Sequence, residues 1–227
     1  MTPTLRFERR YRGPQDSANG GYAAGALARH AGGTAEVTLR LPPPLERDLA
    51  VEERDGAIVL LDGDAVVAEA APAEVELDAP PPVSYAEAEA AARTHVPTSP
   101  ETFRGCFSCG PLREPDDGLC IYPGRVREGV VAAPWVAHEL SPEVVWAAID
   151  CSGAYAVGME GRGETVLGRM AARIERLPRE GERCVVMGWQ TGEDGRKLYA
   201  GTALYGEDGE PLAVARQTWI VPRGAFA

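Results

Sequence analysis

The chain has 227 residues, 44% of them hydrophobic, with a formal net charge of −11 and a pI near 4.8. That balance lacks the basic stripe that releases phosphate counterions, which argues against nucleic acid as a partner. No apolar run approaches the roughly 20 residues that span a bilayer, and Met1-Thr2-Pro3-Thr4-Leu5-Arg6 lacks the apolar stretch of a leader, so a cytoplasmic protein without membrane contact is expected.

In chain order, the first strong signal is the small-residue run Asn19-Gly20-Gly21-Tyr22-Ala23-Ala24-Gly25. Ser17 to Ala28 holds no charged residue, and a helix apolar nearly all round is buried on most faces. A central helix is predicted over Ala18 to Ala31, with Asp16 read as its N-cap or, alternatively, as a working carboxylate. Thr34 to Leu41 then alternates Ala35, Val37, Leu39 and Leu41 with polar residues, the period of a strand with one buried face. Asp55-Gly56 and Asp62-Gly63 mark hairpin turns, because Asp-Gly tolerates the positive φ angles a tight turn demands.

Pro80-Pro81-Pro82 closes this first unit, read as residues 1–78. A linker, 79–127, opens on a capping box at Ser84 and Glu87 that predicts a short helix to about Arg93. Beyond it lies a loop carrying Cys106-Phe107-Ser108-Cys109-Gly110-Pro111, with Arg104 and Arg113 nearby as candidates for phosphate contacts. Cys-x-x-Cys followed by Gly resembles a zinc knuckle or a redox pair, but a closed zinc site wants four ligands, and Cys120, His95 and His138 are the further candidates. The expectation is a tight turn with no metal. Cys151 and Cys184 sit in apolar runs and read as packing residues, and five cysteines, an odd number, fit a reducing compartment better than a disulfide framework.

From Val144 to Met159 the only charge is Asp150, inside a second predicted central helix over Glu143 to Val157. The run Ser152-Gly153-Ala154-Tyr155-Ala156-Val157-Gly158 repeats the first small-residue run at an offset of 133 residues. A strand-like stretch from Thr165 to Leu177 and turns at Asp194-Gly195 and Asp208-Gly209 then repeat the order of the first unit, so 128–227 reads as a second copy. Two copies facing each other across a pseudo-two-fold axis would hold a pocket between them. A lone carboxylate in a buried helix must be hydrogen-bonded, paired or turned toward a cavity. Asp150 therefore reads either as a structural cap of the following turn or as a general base or nucleophile. Gly20 and Gly21 cost helix stability, so either a close backbone neighbour or a ligand requires them; amides at a helix start can also steady a developing oxyanion, with Asn19 orienting a water or carbonyl.

Asn-Gly-Gly-Tyr opening a buried helix, followed by an antiparallel meander and repeated in one chain, resembles the double hotdog fold of acyl-CoA thioesterases. The resemblance covers Leu5 to Leu77 and Gly129 to Val221. It implies an α+β fold in which each curved antiparallel sheet wraps a central helix, and hydrolysis of an acyl-CoA or other acyl thioester between the units. Asp150 is then the carboxylate that activates water or attacks directly, and the Gly21 amide steadies the thioester oxygen, with Asn19, Gly20 and Gly21 as the opposing turn and Asp16, Tyr22, Ser152, Arg104 and Arg113 as substrate contacts. No cofactor is implied, and two such chains can pair further as a homodimer. The Asp, Thr and Gln triad of bacterial double-hotdog thioesterases finds no evident placement. Hydratases of the same fold need an Asp and a His a few residues apart, and His30, His95 and His138 stand at no such spacing from Asp16 or Asp150. The rival reading is a non-catalytic module that binds an acyl thioester or lipid-like ligand. The near absence of lysine, Lys197 against 22 arginines, suggests a GC-rich bacterial source.

Overall fold

The computed structural model describes residues 3–97, 101–162 and 165–223. The outer ends of the two expected units, 1–2 and 224–227, and residues 98–100 of the linker lie outside them. A short strand, β1 (Thr4–Arg6), leads through a loop to α1 (Gly20–Ala28), then β2 (Ala35–Leu39), β3 (Asp48–Arg54), β4 (Ala57–Asp62) and β5 (Ala65–Pro72). The middle segment carries α2 (Tyr85–Ala92) and β6 (Gly124–Arg127). The second half holds β7 (Val130–Val136), α3 (Pro142–Ala148), α4 (Cys151–Ala156), α5 (Met159–Arg162), β8 (Val166–Ile174), β9 (Arg183–Asp194), β10 (Lys197–Tyr205) and β11 (Pro211–Ile220).

These strands form one 11-stranded antiparallel sheet in the order β1-β3-β4-β5-β2-β8-β11-β10-β9-β7-β6. Read outward from the centre, β2-β5-β4-β3-β1 and β8-β11-β10-β9-β7 have the same topology, with β6 an added edge. The halves meet where β2 pairs with β8, and the register sets Val37 opposite Met170. Those two residues are separated by the offset of 133 already legible in the small-residue runs, as a two-fold axis through that pair requires. This is a hotdog fold written twice. The hairpin turns fall where Asp-Gly occurs, and Asp55 and Gly56 both take positive φ, 52° and 79°.

The central helices are shorter than the composition suggests. Asn19, not Asp16, caps α1: its side chain accepts a hydrogen bond from the Tyr22 amide at 2.8 Å. The second helix is not continuous over Glu143 to Val157. It breaks at Ile149 and Asp150, where Gln217 of β11 donates from Nε2 to Ile149 O at 2.9 Å and to Asp150 O at 3.2 Å, the latter shared with the Gly153 amide at 3.1 Å. Helix α1 crosses α3 at very close range. A Cβ on Gly21 would lie 2.6 Å from Trp146 O and from Asp150 Cβ, and one on Gly25 would lie 2.8 Å from Glu143 Cα. The glycines are therefore required by a neighbouring backbone, one turn apart on one helix face.

The linker is not a surface tether. Ser84 caps α2 with the expected capping box. Further on, Cys106, Phe107 and Ser108 are at most 2% exposed, and Ser108 Oγ donates to Ala147 O at the end of α3.

Candidate active site

A cavity of about 680 Å³ opens between the halves. Its walls come from the loop before α1, from the end of β2, from the cysteine loop, and from Asp150, Met159, Leu167 and Trp219 of the second half. Asn19, Gly20 and Asp150 meet there. Asp150 Oδ2 accepts from the Gly21 amide at 3.0 Å and from Asn19 Nδ2 at 3.0 Å. Its side chain caps no turn of its own helix; it crosses to the start of α1 instead. Oδ1 is buried with no hydrogen-bond partner among the described residues. Burial pushes the Asp150 carboxyl up to about 7, partly opposed by the Gly21 amide and Asn19.

The Gly21 amide is thus engaged with Asp150 and holds the carboxylate in place. Among the described residues the Gly20 amide, one residue earlier at the same helix start, has no such partner, and Gly20 lines the cavity. Asp16 is exposed at the cavity mouth. Leu41, expected on a buried face, is 46% exposed at the same mouth, because β2 ends at Leu39.

Three expected substrate contacts are elsewhere. Tyr22 stacks on Tyr11, ring centroids 4.0 Å apart, and meets Phe7 and Phe107 edge-on, so it belongs to an aromatic cluster outside the cavity wall. Ser152 is fully buried against β9, where a Cβ on Gly188 would lie 2.3 Å from Ser152 O. Arg113 is buried and spends its guanidinium on Gly105 O, Arg10 O and Asp117, locking the cysteine loop to the loop before α1. Arg113 does not line the cavity. Arg104 stays exposed beside Phe103 of the cavity wall.

Two groups escaped the sequence reading. Gln217, 3% exposed, sits behind the Asp150 turn, accepts from Trp219 Nε1 at 2.8 Å and reaches Thr202 Oγ1 at 3.3 Å. An Asp, a Thr and a Gln are therefore neighbours, but the carboxamide binds backbone carbonyls and not the Asp150 carboxylate. The other group is sulfur. Cys106, Cys109 and Cys151, all buried, hold their Sγ atoms within 4.8 Å of one another on the cavity wall. Hydrogen bonds from Cys109 and Cys151 hold the Cys106 thiol well below its usual range and raise those two in return. Cys151 is buried in the core, as its apolar run implies, and its sulfur also faces those of Cys106 and Cys109. Of the histidines, His95 packs between Tyr122 and Tyr155, while His30 and His138 are exposed, and none lines the cavity.

No family model and no curated protein matches the sequence. The fold does match solved structures over nearly its whole length. A candidate thioesterase from Novosphingobium aromaticivorans is 13% identical, with a TM-score of 0.66 over 96% of this chain and 94% of that one. A protein of unknown function with a hotdog fold from Alicyclobacillus acidocaldarius is 10% identical, with a TM-score of 0.65 over 98% and 93%. An acyl-CoA thioesterase II from Mycobacterium marinum is 12% identical, with a TM-score of 0.56 over 93% and 92%.

Proposed function

We propose that this hotdog protein hydrolyses acyl thioesters, with acyl-CoA as the substrate class and Asp150 as the general base. The observation that carries the reading is a single buried carboxylate on the wall of an inter-unit cavity, held by the first turn of the opposite helix. Asp150 takes a proton from a water whose oxygen attacks the thioester carbonyl carbon. The Gly20 amide, at the positive end of α1, steadies the carbonyl oxygen as it gains charge. Collapse of the tetrahedral intermediate breaks the C–S bond, and the proton held by Asp150 goes to the departing sulfur, leaving a carboxylic acid and a thiol. Asn19 and the Gly21 amide hold the carboxylate for this work and keep its Oδ2 occupied. Exposed Arg104, beside the mouth, is the side chain suited to a coenzyme A phosphate. The names of solved structures with this fold, a thioesterase II among them, point the same way.

The test is a panel of acyl-CoA esters of graded chain length, with released thiol measured by a chromogenic reagent. Turnover that collapses in Asp150→Asn supports the hydrolase. Saturable binding with no thiol release from any ester would instead establish a ligand-binding module.

A further inference from the structure

The mechanism leaves unused a cluster of three buried sulfurs on the cavity wall. We infer that Cys106, Cys109 and Cys151 form a zinc site of three thiolates, with its fourth position on the cavity side. The sequence offered Cys120, His95 and His138 as further ligands and not Cys151, which lies 42 residues beyond Cys109; the fold brings Cys151 in as the first residue of α4.

The spacing of the sulfurs fits a metal. Zinc–thiolate bonds of about 2.3 Å at tetrahedral angles place two sulfurs roughly 3.8 Å apart, and Cys106 Sγ lies 3.8 Å from Cys151 Sγ. A disulfide joins two sulfurs, whereas here three converge within 4.8 Å. The loop is built to carry thiolate charge. The backbone amides of Ser108 and Cys109 point at Cys106 Sγ, and Asn19 Nδ2 reaches it at 3.7 Å. Gly110 closes the turn where a Cβ would lie 2.5 Å from Cys106 N. Ser108 pins the same turn to α3, so two rigid elements present the ligands. Three protein ligands beside an open cavity form the pattern of a zinc site that keeps one place for water. The unpartnered Asp150 Oδ1 is the neighbouring group suited to hydrogen-bond such a water.

The assignment does not depend on thioester hydrolysis, and its test needs no substrate. Reduced protein, expressed in zinc-supplemented medium and passed through a desalting column, should hold about one zinc per chain by elemental analysis. Cys109→Ala and Cys151→Ala should fall to background, Cys120→Ala and Cys184→Ala should keep the metal, and Asp150→Asn should keep it too. Because the first two variants can fail to fold, wild-type apoprotein is also titrated with Co(II). Thiolate-to-cobalt bands and intense tetrahedral ligand-field bands should appear at one equivalent. A reduced wild type that takes up neither zinc nor Co(II), a freshly isolated protein with a disulfide between any two of the three cysteines, or stoichiometric metal in Cys151→Ala would each overturn it.

Discussion

At the scale of single residues, Asp150 and Glu182 show what burial does to a carboxylate with and without a cation. Asp150 has only dipoles for partners, and desolvation wins. Its replacement by Asn keeps the shape and removes the proton acceptor, so acyl-thioester turnover should fall about 100-fold to 10,000-fold. Asp16→Asn should stay within a few-fold, since Asp16 is exposed at the mouth and caps no helix. The reverse pattern in steady-state rates would move the chemistry to Asp16. Glu182, in contrast, is gripped by both terminal nitrogens of Arg176, at 2.9 and 3.0 Å, and by the Arg179 amide at 2.7 Å. Hydrogen bonding to Arg176 lowers its carboxyl to about 2 from 4.5. A folded-state value below the unfolded one gives stability that is present above about pH 4.5 and lost as pH falls through 2. Glu182→Gln should therefore cost roughly 2–3 kcal/mol at pH 7, with a difference from wild type that shrinks in denaturant titrations toward pH 2. A pH-independent difference would show that packing, not charge, is what the substitution removes.

At the scale of elements, the crossing of α1 and α3 sets the distance across which Asp150 reaches Gly21. Gly25→Ala puts two effects in opposition. Helix propensity alone would stabilise by about 1 kcal/mol, while a methyl forced to within 2.8 Å of Glu143 Cα and Trp146 Cβ overpacks the contact. Overpacking costs typically 1–3 kcal/mol or more, so the variant should be destabilised in chemical denaturation. A gain in stability would mean that the helices can part without penalty. The break between α3 and α4 depends likewise on one side chain. Gln217→Leu strips Ile149 O of the Gln217 donor and Trp219 Nε1 of its acceptor, while Asp150 O keeps the Gly153 amide. With about 1–3 kcal/mol for each buried polar group left unsatisfied, a loss of several kcal/mol is expected, read as a drop in melting temperature. Unchanged melting would show that the helix can reseal across the break.

At the scale of the molecule, the halves share a ladder at β2 and β8, a helix crossing, and a cysteine loop bonded to both. Such an interface should unfold as one unit. All four tryptophans, at 135, 146, 189 and 219, lie in the second half. Their fluorescence reports that half, and far-ultraviolet circular dichroism reports both. The two signals should trace one coincident transition in urea; a fluorescence midpoint displaced from the dichroism midpoint would mean that the halves melt separately.

Much of this architecture is written locally. The alternation at β2, the Asp-Gly turns, the capping box at Ser84 and the charge-free first helix are each legible within a few neighbouring residues, because backbone conformation and burial pattern are short-range properties, and the offset of 133 follows from comparing two such local runs. Asp150 stands out for the same reason, as one charge in an apolar run. What the side chains meet was decided by the tertiary structure alone. Asn19, Cys106, Cys109, Asp150, Cys151 and Gln217 come from distant parts of the chain, and no local period records their convergence. Tyr22, Ser152 and Arg113 carry suitable chemistry for ligand binding, yet packing turns one into an aromatic cluster, one against β9 and one into a lock for the linker loop. Residue type limits what a side chain can do; the contacts made when the two halves close over the cysteine loop determine which of those possibilities it meets.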